Sequence, residues 1–411
     1  MRTWFAIPLW QRVVGALILG LVVGLLWGPG AETIKWVGDL FIRAIRMLVV
    51  PLIFFSLVAG VVSIGDLKKL GGIGGRAIGI FLFTGLIAVV VGLLLGTIIQ
   101  PGAGLNIAPT GEIPEAAATP LTFVDMVLSM VPPNIVSAMA NMEVLPMIVF
   151  AILFGIAILM AGEAGAPIGR AMDAGALVMQ KMTAIVMELT PFGVFALMAW
   201  VAGTYGMDAL LPLAQLVGAL YLGCLIMIFL VYGGLVKFVA KLPARHFYRG
   251  VADAMAVAYS TSSSAATLPV TLRVTQQNLG VSRRVSSFIV SLGATVNMDG
   301  TALYLGLAAV FGAQIFGITL GPMEYVMIAV TATLGAIGAA GIPSAGLVMM
   351  GLVFTSVGVP LETIAFVAGI DRIMDMMRTT TNVTGDATVA VAVARMTGEL
   401  NVEEFVSADD V

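Results

Sequence analysis

The stretch DRIMDMMRTTTNVTGD, Asp371–Asp386, concentrates charge near the end of a chain that is otherwise apolar. Charged residues make up only 10% of the sequence, yet five of them lie here. Each charge at mid-bilayer costs about 2.5–3.5 kcal/mol on insertion scales, so such a cluster must pair or face polar groups. Spacings of four, three, one, three and four place six polar residues on one face of a helix: Asp371, Asp375, Arg378, Thr379, Asn382 and Asp386.

Two kinds of structure would satisfy this polar face. A buried network of ion pairs would lock neighbouring helices together, which is a purely structural role. A functional cavity is favoured, because Asn382 and the threonines add neutral oxygens, and these suit cation coordination better than charge pairing.

The rest of the chain has the composition of a membrane protein. Hydrophobic residues make up 60% of the 411 residues, against about 45–50% in soluble domains. Apolar runs close to the ~20 residues that span a bilayer recur, as in 13–27, 78–99, 144–160 and 211–236. Barrel strands would instead alternate over ~10 residues. We therefore predict an all-α multi-span membrane protein with eight transmembrane helices. Segment 124–160 should be one span in several pieces, broken by Pro132, Pro133 and Pro146.

Basic residues predict which connections face the cytoplasm. They flank spans one, two, six and seven: Arg2, Arg12, Lys68, Lys69, Arg76, Lys237, Lys241, Arg245, Arg249, Arg283 and Arg284. The connections 100–121 and 203–209 carry no Lys or Arg and should face outward. We expect both termini in the cytoplasm, the plasma (inner) membrane as the location, and a first span that is retained and not cleaved as a signal peptide.

Two segments are predicted to enter the membrane and return on the same side. Residues 250–284 have basic residues at both ends and arms of about a dozen residues around the tip Ser260–Ser264. Such an arm reaches ~18 Å, about half a bilayer. A second hairpin runs through Met323–Ile337, the tip Gly338–Gly346 and Leu347–Val359, and opens from the opposite side. Either tip alone would fit an ordinary loop between tilted helices, but together they predict two re-entrant hairpins in inverted repeats.

Span seven should be interrupted in the middle. It contains GATVNMDGTALY, Gly293–Tyr304, in which Asn-Met-Asp-Gly are poor helix formers. By itself this pattern also fits a simple kink. An open helix would free the carbonyls of Gly293 and Asn297 beside the Asp299 carboxylate. We therefore predict an oxygen-rich site for a monovalent cation at this break.

Four motifs, in this order and spacing, resemble one transporter family: SSSAATLPVT, LGATVNMDGTALY, GIPSAG and DRIMDMMRTTTNVTGD. The chain resembles the glutamate transporter family, the dicarboxylate/amino acid:cation symporters. The resemblance implies a homotrimer with a scaffold made of spans one, two, four and five, residues 1–70 and 123–206. It also implies an elevator-type transport domain, residues 71–122 and 207–397, and a cytoplasmic tail, residues 398–411.

The resemblance further implies a site for an acidic amino acid. Arg378 matches the residue that binds the substrate side-chain carboxylate, and Asp375 matches the partner of the α-amino group. The supporting positions are Thr301 and the Gly346 backbone beside Arg378, Thr379 and the Ile342 carbonyl beside Asp375, Asn382, Ser263 and Ser264 at the α-carboxylate, and Ser262 and Met298 around them.

Sodium is the coupling ion that the resemblance implies, and hydrogen ions stay an alternative. The matching positions form three groups: Gly293, Asn297, Asn382 and Asp386; Thr295 with the carbonyls of Ala336, Ile337 and Ala339; and Thr84, Asn297 and Asp299. Members that use the third site have a tyrosine and a Thr-Ser pair on span three. Here Phe81, Thr84 and Gly85 stand in those places, so two oxygens are missing.

The chemistry of the polar face favours the same substrate class. An arginine binds a carboxylate through two parallel hydrogen bonds, and Asp375 requires a cation such as an ammonium opposite it. A C4-dicarboxylate without an amino group would be repelled by Asp375. We therefore expect a sodium-driven symporter for L-aspartate or L-glutamate, with a proton-coupled carrier for these substrates or a C4-dicarboxylate symporter as alternatives.

Other functions fit the sequence less well. An intramembrane protease needs a second catalytic aspartate motif or a histidine at membrane depth, and the single histidine, His246, falls in a basic flank. A passive channel predicts no linkage between substrate and cation. We expect no enzyme activity and no nucleic-acid partner, but contacts with lipid, a small acidic substrate and two further copies of the chain.

One arginine has no assigned role. The family commonly has a second arginine at the first hairpin tip or directly after the second aspartate of span eight, where this chain has Ser262 and Met376. Arg372 would replace it in space, serve as a counter-ion to Asp386 or Asp371, or reach an interface. The sequence leaves these alternatives open.

Overall fold

The computed structural model of the chain describes residues 7–63, 72–105, 128, 131–141, 144–337, 339 and 344–407. Over these residues the structure is helical and contains no strand beyond one isolated bridge between Val281 and Leu400. The α-helices are α1 Leu9–Trp27, α2 Lys35–Ser63, α3 Gly72–Ile99, α4 Ile135–Ala140, α5 Val144–Met160, α6 Ala166–Met187, α7 Thr190–Tyr205, α8 Leu210–Leu225, α9 Ala244–Thr261, α10 Ser264–Gln277, α11 Arg283–Val296, α12 Asp299–Ile315, α13 Pro322–Ile337, α14 Ala345–Ser356, α15 Thr363–Ala368, α16 Asp371–Thr397 and α17 Val402–Phe405.

Several helices have the length and apolar composition of membrane spans. Within the described ranges four pass both criteria: Gln11–Ala44, Gly72–Ile99, Leu210–Val239 and Arg283–Ile315. The pair Ala166–Met187 and Thr190–Asp208, bent by 50°, adds a fifth if it counts as one span. Over the described residues the predicted all-helical fold is therefore confirmed, with helices suited by length and composition to span a membrane, and the number of eight spans stays a prediction.

The helices pack in two groups. In the first, α2 packs against α5, α6 and α7, and α1 lies along α7. In the second, α12 packs against α3, α13, α14 and α16, while α9, α10 and α11 all contact α16. Between the groups, α15 touches α2 and α7, with the rings of Phe366 and Trp200 5.6 Å apart. The long polar helix α16 thus lies in the middle of the second group.

Span seven is interrupted where the sequence predicts. Helix α11 ends at Val296 and α12 begins at Asp299, and the two residues between them leave helical geometry. Asn297 has φ −90° and ψ 79°, and Met298 has φ −109° and ψ 50°. A helix cannot continue through these angles. The side chains of Asn297 and Met298 at the break contact Asn382 of α16.

The first hairpin tip also breaks as predicted. Helix α9 ends at Thr261, and Ser262 takes a left-handed conformation with φ 52°. The hydroxyl oxygen of Ser263 then accepts a hydrogen bond of 3.2 Å from the Ala266 N–H and caps α10. Only Ala339 and residues 344–346 of the second tip lie within the described part. Re-entry of either hairpin into a membrane stays a prediction.

The region of span four departs from expectation at one proline. The side chain of Asn134, which follows the Pro132–Pro133 pair, accepts hydrogen bonds from the backbone of Val136 and Ser137 and caps α4. Pro146, expected to interrupt the span, lies instead in the first turn of α5. Proline is tolerated there, because the N–H groups of a first turn have no helical partner.

Helix α8 continues in a form that the sequence did not indicate. Residues Ile226–Tyr232 and Leu235–Val239 follow it as π-helical segments. Tyr232, at the end of the first segment, is fully buried. π-helical turns often occur at functional sites. The contacts of the Tyr232 side chain are therefore described with the candidate site below.

Candidate functional site

The polar face of α16 is buried inside the protein. The exposed fractions are 1% for Asp371, 5% for Asp375, 1% for Arg378 and 1% for Asp386. Ionised side chains are rarely buried to this extent unless they are paired and hydrogen-bonded. The cluster therefore forms the interior of the second helix group and does not face lipid.

Arg378 lies at the centre of this cluster. Its Nη2 donates to Asp375 Oδ1 at 2.7 Å and to Asp371 Oδ1 at 2.9 Å, and its guanidinium lies 3.9 Å from the centre of the Tyr304 ring. Its Nε and Nη1 have no hydrogen-bond partner, although the side chain is buried. A buried donor without a partner is costly, so these two nitrogens indicate that a ligand completes the site.

Asp371 and Tyr304 support Arg378, and the sequence did not assign either to the substrate site. The Tyr304 hydroxyl donates to Asp371 Oδ1 at 2.8 Å. The second oxygen of Asp371 has no partner. Asp371 belongs to the same helical face as Arg378, seven residues away, so spacing alone could have revealed it. Tyr304 lies in an apolar run that gives no such signal.

Asp375 connects α16 to the second hairpin tip. Its Oδ2 accepts a hydrogen bond of 2.8 Å from the Ser344 N–H, while its Oδ1 binds Arg378. Gly346 lies against Arg378 and Tyr304, and a Cβ there would collide with both side chains. Two predicted residues, Asp375 and Gly346, are thus brought to Arg378. Ile342 lies outside the described residues.

Asn382 connects α16 to the break in span seven. Its Oδ1 accepts a hydrogen bond of 2.8 Å from the Gly300 N–H, and its Nδ2 lies 3.2 Å from Met298 Sδ. Thr301 follows in the first turn of α12 and is 6% exposed. The predicted positions Met298, Thr301 and Asn382 therefore lie where α12 meets α16.

The first hairpin tip lies beside the same helix. The hydroxyl of Ser262 is buried and has no partner, and the Ser263 and Ser264 side chains are buried as well. On α16, Thr379 is 4% exposed and adjoins Arg378 in the chain. The direct contact between the tip and α16 involves Arg372, whose Nη2 donates to the Thr261 carbonyl at 3.3 Å.

The first predicted cation group comes together around Asp386. Asn297 Nδ2 donates to Asp386 Oδ1 at 2.9 Å and to the Asn382 carbonyl at 3.3 Å. A Cβ at Gly293 would collide with the Asp386 carboxylate. Asn297 Oδ1 is buried and has no partner. These oxygens come from two chain segments, the end of α11 and the middle of α16, and together they could coordinate a monovalent cation.

The third predicted group comes partly together: the Thr84 side chain hydrogen-bonds Asp299, as expected, and Asp299 has a second donor that was not predicted. Tyr232 of the π-helical segment donates its hydroxyl to Asp299 Oδ2 at 2.7 Å. On the opposite side, a Cβ at Gly85 would lie 3.5 Å from Asp299 Oδ1, and the Thr84 hydroxyl bonds to the Phe81 carbonyl at 3.2 Å. Tyr232 was not predicted, since it stands in an apolar run.

The second predicted group is only partly assembled. The Thr295 hydroxyl donates to the Leu292 carbonyl of its own helix at 2.9 Å. Ala336 and Ile337 line a narrow cleft that reaches Asp299, and the Ala339 N–H donates to the Ala336 carbonyl at 3.0 Å. Within the described ranges, no three His, Cys, Asp or Glu side chains are grouped to hold a metal ion. A cation here would depend on carbonyl, amide and hydroxyl oxygens beside single carboxylates.

Comparison with known proteins identifies the family. The model of the sodium:dicarboxylate symporter family matches residues 9–396. A proton/sodium-glutamate symport protein of Geobacillus stearothermophilus is 36% identical over 405 residues, 96% of each chain. A proton/glutamate-aspartate symporter of Bacillus subtilis is 34% identical over 403 residues, 97% of each chain. A C4-dicarboxylate transport protein of Agrobacterium fabrum is 34% identical over 404 residues, 97% of this chain and 90% of the relative. The chain therefore belongs to the sodium:dicarboxylate symporter family, whose members are transporters and not enzymes.

Proposed function

We propose that this integral membrane protein takes up L-aspartate or L-glutamate in symport with sodium ions. The observation that carries the proposal is Arg378, a buried guanidinium with two nitrogens that have no partner. A carboxylate is the group that an arginine binds best, through charge and paired hydrogen bonds. The relatives named for glutamate or glutamate-aspartate symport support this substrate class.

The amino group of the substrate is the second part of the proposal. Asp371 Oδ2 is buried without a partner, and Asp375 lies one turn further along the same face. The unpaired oxygen of Asp371 is an acceptor that a substrate ammonium group can satisfy with a charged hydrogen bond, whereas a second carboxylate would leave it unpaired. We therefore favour an amino acid over a plain dicarboxylate.

A C4-dicarboxylate is the second candidate substrate. Several relatives bear that name, the one from Agrobacterium fabrum among them, and the site contains a second buried guanidinium, Arg372, whose Nε has no partner. Competition by succinate against aspartate distinguishes the two candidates.

Sodium coupling is supported by the oxygens around Asn297 and Asp386. The amide oxygen of Asn297 has no partner, and the Asp386 carboxylate lies against Gly293 and Asn297. Carbonyl, amide and carboxylate oxygens without a preformed divalent cluster suit a monovalent cation. The name of one relative includes both proton and sodium, so the ion is part of the test.

The motion that we propose is an elevator movement of the second helix group, α3 and α8–α16, against the first, in a homotrimer. Each group packs mainly within itself, and fewer contacts, made by α11, α14, α15 and α16, join the second group to the first. We further propose eight spans, two re-entrant hairpins and cytoplasmic termini, as the positive residues predict.

Uptake into liposomes tests the function directly. Purified protein should accumulate radiolabelled L-aspartate or L-glutamate when sodium is high outside, and succinate should compete weakly. Uptake that ignores sodium but follows an imposed proton gradient would overturn sodium coupling and leave the substrate class intact. Uptake of succinate that aspartate does not inhibit would overturn the amino acid assignment.

A further inference from the structure

The end of α9 has a feature that the proposed function does not use. The helix stops at Thr261 because Ser262 is left-handed, and the Ser262 N–H closes the last turn on the Ala258 carbonyl at 2.9 Å. The Thr261 carbonyl, at this end of the helix, accepts a hydrogen bond from Arg372 Nη2 of α16. The end of a helix carries partial negative charge, so a cation bound there is favourable.

Arg372 is buried in the interior of the protein. It is 7% exposed, and its Nε has no partner. Its positive charge is attracted by the carboxylates of Asp375 and Asp371 and repelled by the guanidinium of Arg378. The carboxylate of Asp386, one of the alternatives that the sequence left open, is bonded to Asn297 instead.

The two buried arginines of α16 therefore differ in what they hold. Both ion pairs of Arg378 are with carboxylates of α16 itself. These ion pairs therefore do not connect α16 to another helix. Arg372 instead bonds the backbone of another helix, next to the buried Ser262–Ser264 tip. A bond between two helices restrains their relative position, whereas bonds within one helix do not.

We propose that Arg372 is a positioning residue that latches the first hairpin tip to α16. The guanidinium caps the carbonyl end of α9 and so holds Ser262–Ser264 beside the substrate. Without it, the tip leaves α16 more often and its buried serines become accessible. The role at the substrate rests on the proposed function, but the latch itself does not.

Thiol labelling of the tip tests the latch. The reporter is Ser262→Cys in a Cys224→Ala background, since Cys224 is the only native cysteine and is buried. In purified protein, Arg372→Gln should raise the rate of maleimide labelling at this cysteine about tenfold, the effect of losing one hydrogen bond to a charged group. Arg395→Gln is the matched control, because Arg395 lies on the same helix but is exposed. Its labelling rate should equal that of the parent.

A second reporter checks that a change in the labelling rate comes from exposure of the buried serines Ser262–Ser264 and not from a general effect on thiol labelling. Ser260→Cys is exposed before any movement, so it should react at one rate in every background. An unchanged Ser262→Cys rate in Arg372→Gln would overturn the latch. If Arg372→Gln does not fold, Arg372→Lys decides, because a lysine keeps the charge but lacks the fork. We expect a rise of about threefold there, and no rise would refute the proposal.

A substrate arm separates the two proposals. L-aspartate with sodium should slow labelling of Ser262→Cys in the parent, because the bound substrate covers the tip. If aspartate gives no protection while Arg372→Gln still accelerates labelling, the substrate assignment fails and the latch stands. If aspartate protects but Arg372→Gln has no effect, the latch fails and the substrate assignment stands.

Discussion

At the scale of single residues, unmet hydrogen bonds mark the site. Within the described part of the chain, all but one of the buried side-chain atoms without a partner lie in this region: Ser262 Oγ, Asn297 Oδ1, Asp371 Oδ2, Arg372 Nε, Arg378 Nε and Arg378 Nη1, with His246 Nδ1 the exception. Folded proteins keep few such atoms, because each one costs free energy. Their concentration around α16 fits the proposal that substrate and cation bind there and complete the network.

Replacing Arg378 should remove the anchor for the substrate carboxylate. We expect Arg378→Cys to weaken L-aspartate binding at least ~30-fold, since truncating a buried charge pair costs about 2 kcal/mol or more. The space left beside Tyr304 should admit small neutral amino acids such as serine. Equilibrium binding of labelled aspartate and serine measures both effects. Arg395→Cys serves as control, and an aspartate affinity equal to the parent's in Arg378→Cys would contradict the assignment.

Replacing Tyr232 should change how the protein responds to sodium. Tyr232→Phe removes one of the two side-chain hydrogen bonds of the buried Asp299, which should lower the free energy of unfolding by about 1–3 kcal/mol in sodium-free buffer. A cation bound at the carboxylate offsets that loss, so sodium should restore the melting temperature. Thermal unfolding with and without sodium measures this.

The control for Tyr232 is a tyrosine whose hydroxyl bonds a neutral acceptor. Tyr248 donates its hydroxyl to the Ile228 carbonyl at 2.8 Å, on the same π-helical segment, and not to a carboxylate. Tyr248→Phe should lower the melting temperature equally with and without sodium. The same pattern in Tyr232→Phe would show that Asp299 does not contact a cation.

The sequence predicts part of this site because helical spacing is local. The pairing of Asp375 with Arg378 follows from their three-residue separation on α16. Tyr304 and Tyr232 could not be predicted, since the partners of their hydroxyls lie 67 residues away in the chain. The packing of α8 and its π-helical continuation against α12 brings Tyr232 to Asp299, and the packing of α12 against α16 brings Tyr304 to Asp371.

At the scale of helices, the close approach of α12 to α16 positions the site. Gly300 lies against the backbone of Arg378, where a Cβ would collide, and its N–H binds Asn382. We expect Gly300→Ala to separate the helices and lower stability by about 1–3 kcal/mol, with a loss of aspartate affinity. Thermal unfolding and equilibrium binding of the purified variant measure these changes.

A glycine in an open position provides the comparison. Gly351 in α14 has no atom within 4 Å of a Cβ placed there. Gly351→Ala should therefore leave stability unchanged or raise it slightly, by about 0.4–1 kcal/mol. Equal melting temperatures in the two alanine variants would argue against a tight α12–α16 contact.

Helix breaks were predictable where the residues themselves disfavour a helix. Asn297 and Met298 interrupt span seven because the neighbouring Asn, Asp and Gly are poor helix formers. Pro146 was misleading, since proline in a first turn removes no hydrogen bond. The π-helical run Ile226–Tyr232 has an ordinary apolar sequence, so its register depends on tertiary packing that the sequence does not reveal.

At the scale of the whole molecule, the boundary between the two helix groups must allow movement if the protein is an elevator. The contacts that α15 and the following residue Gly369 make with α7 are apolar: the Trp200 and Phe366 rings, and Gly369 against the Met198 side chain. Apolar contacts have no fixed direction and can be exchanged during sliding at little cost. A covalent bond across this boundary should therefore stop transport without damaging the site on α16.

A disulfide between positions 198 and 369 makes that bond. The Cβ of a residue at 369 would contact the Met198 side chain, and cysteine Cβ atoms about 3.5–4.5 Å apart can form a disulfide. In Met198→Cys/Gly369→Cys with Cys224→Ala, oxidation should abolish uptake of L-aspartate into liposomes and reduction should restore it. The oxidised, cross-linked protein should still bind aspartate from at least one side of the membrane. The single variants should transport alike in both redox states, and full-rate uptake by the cross-linked protein would exclude relative motion of the two groups.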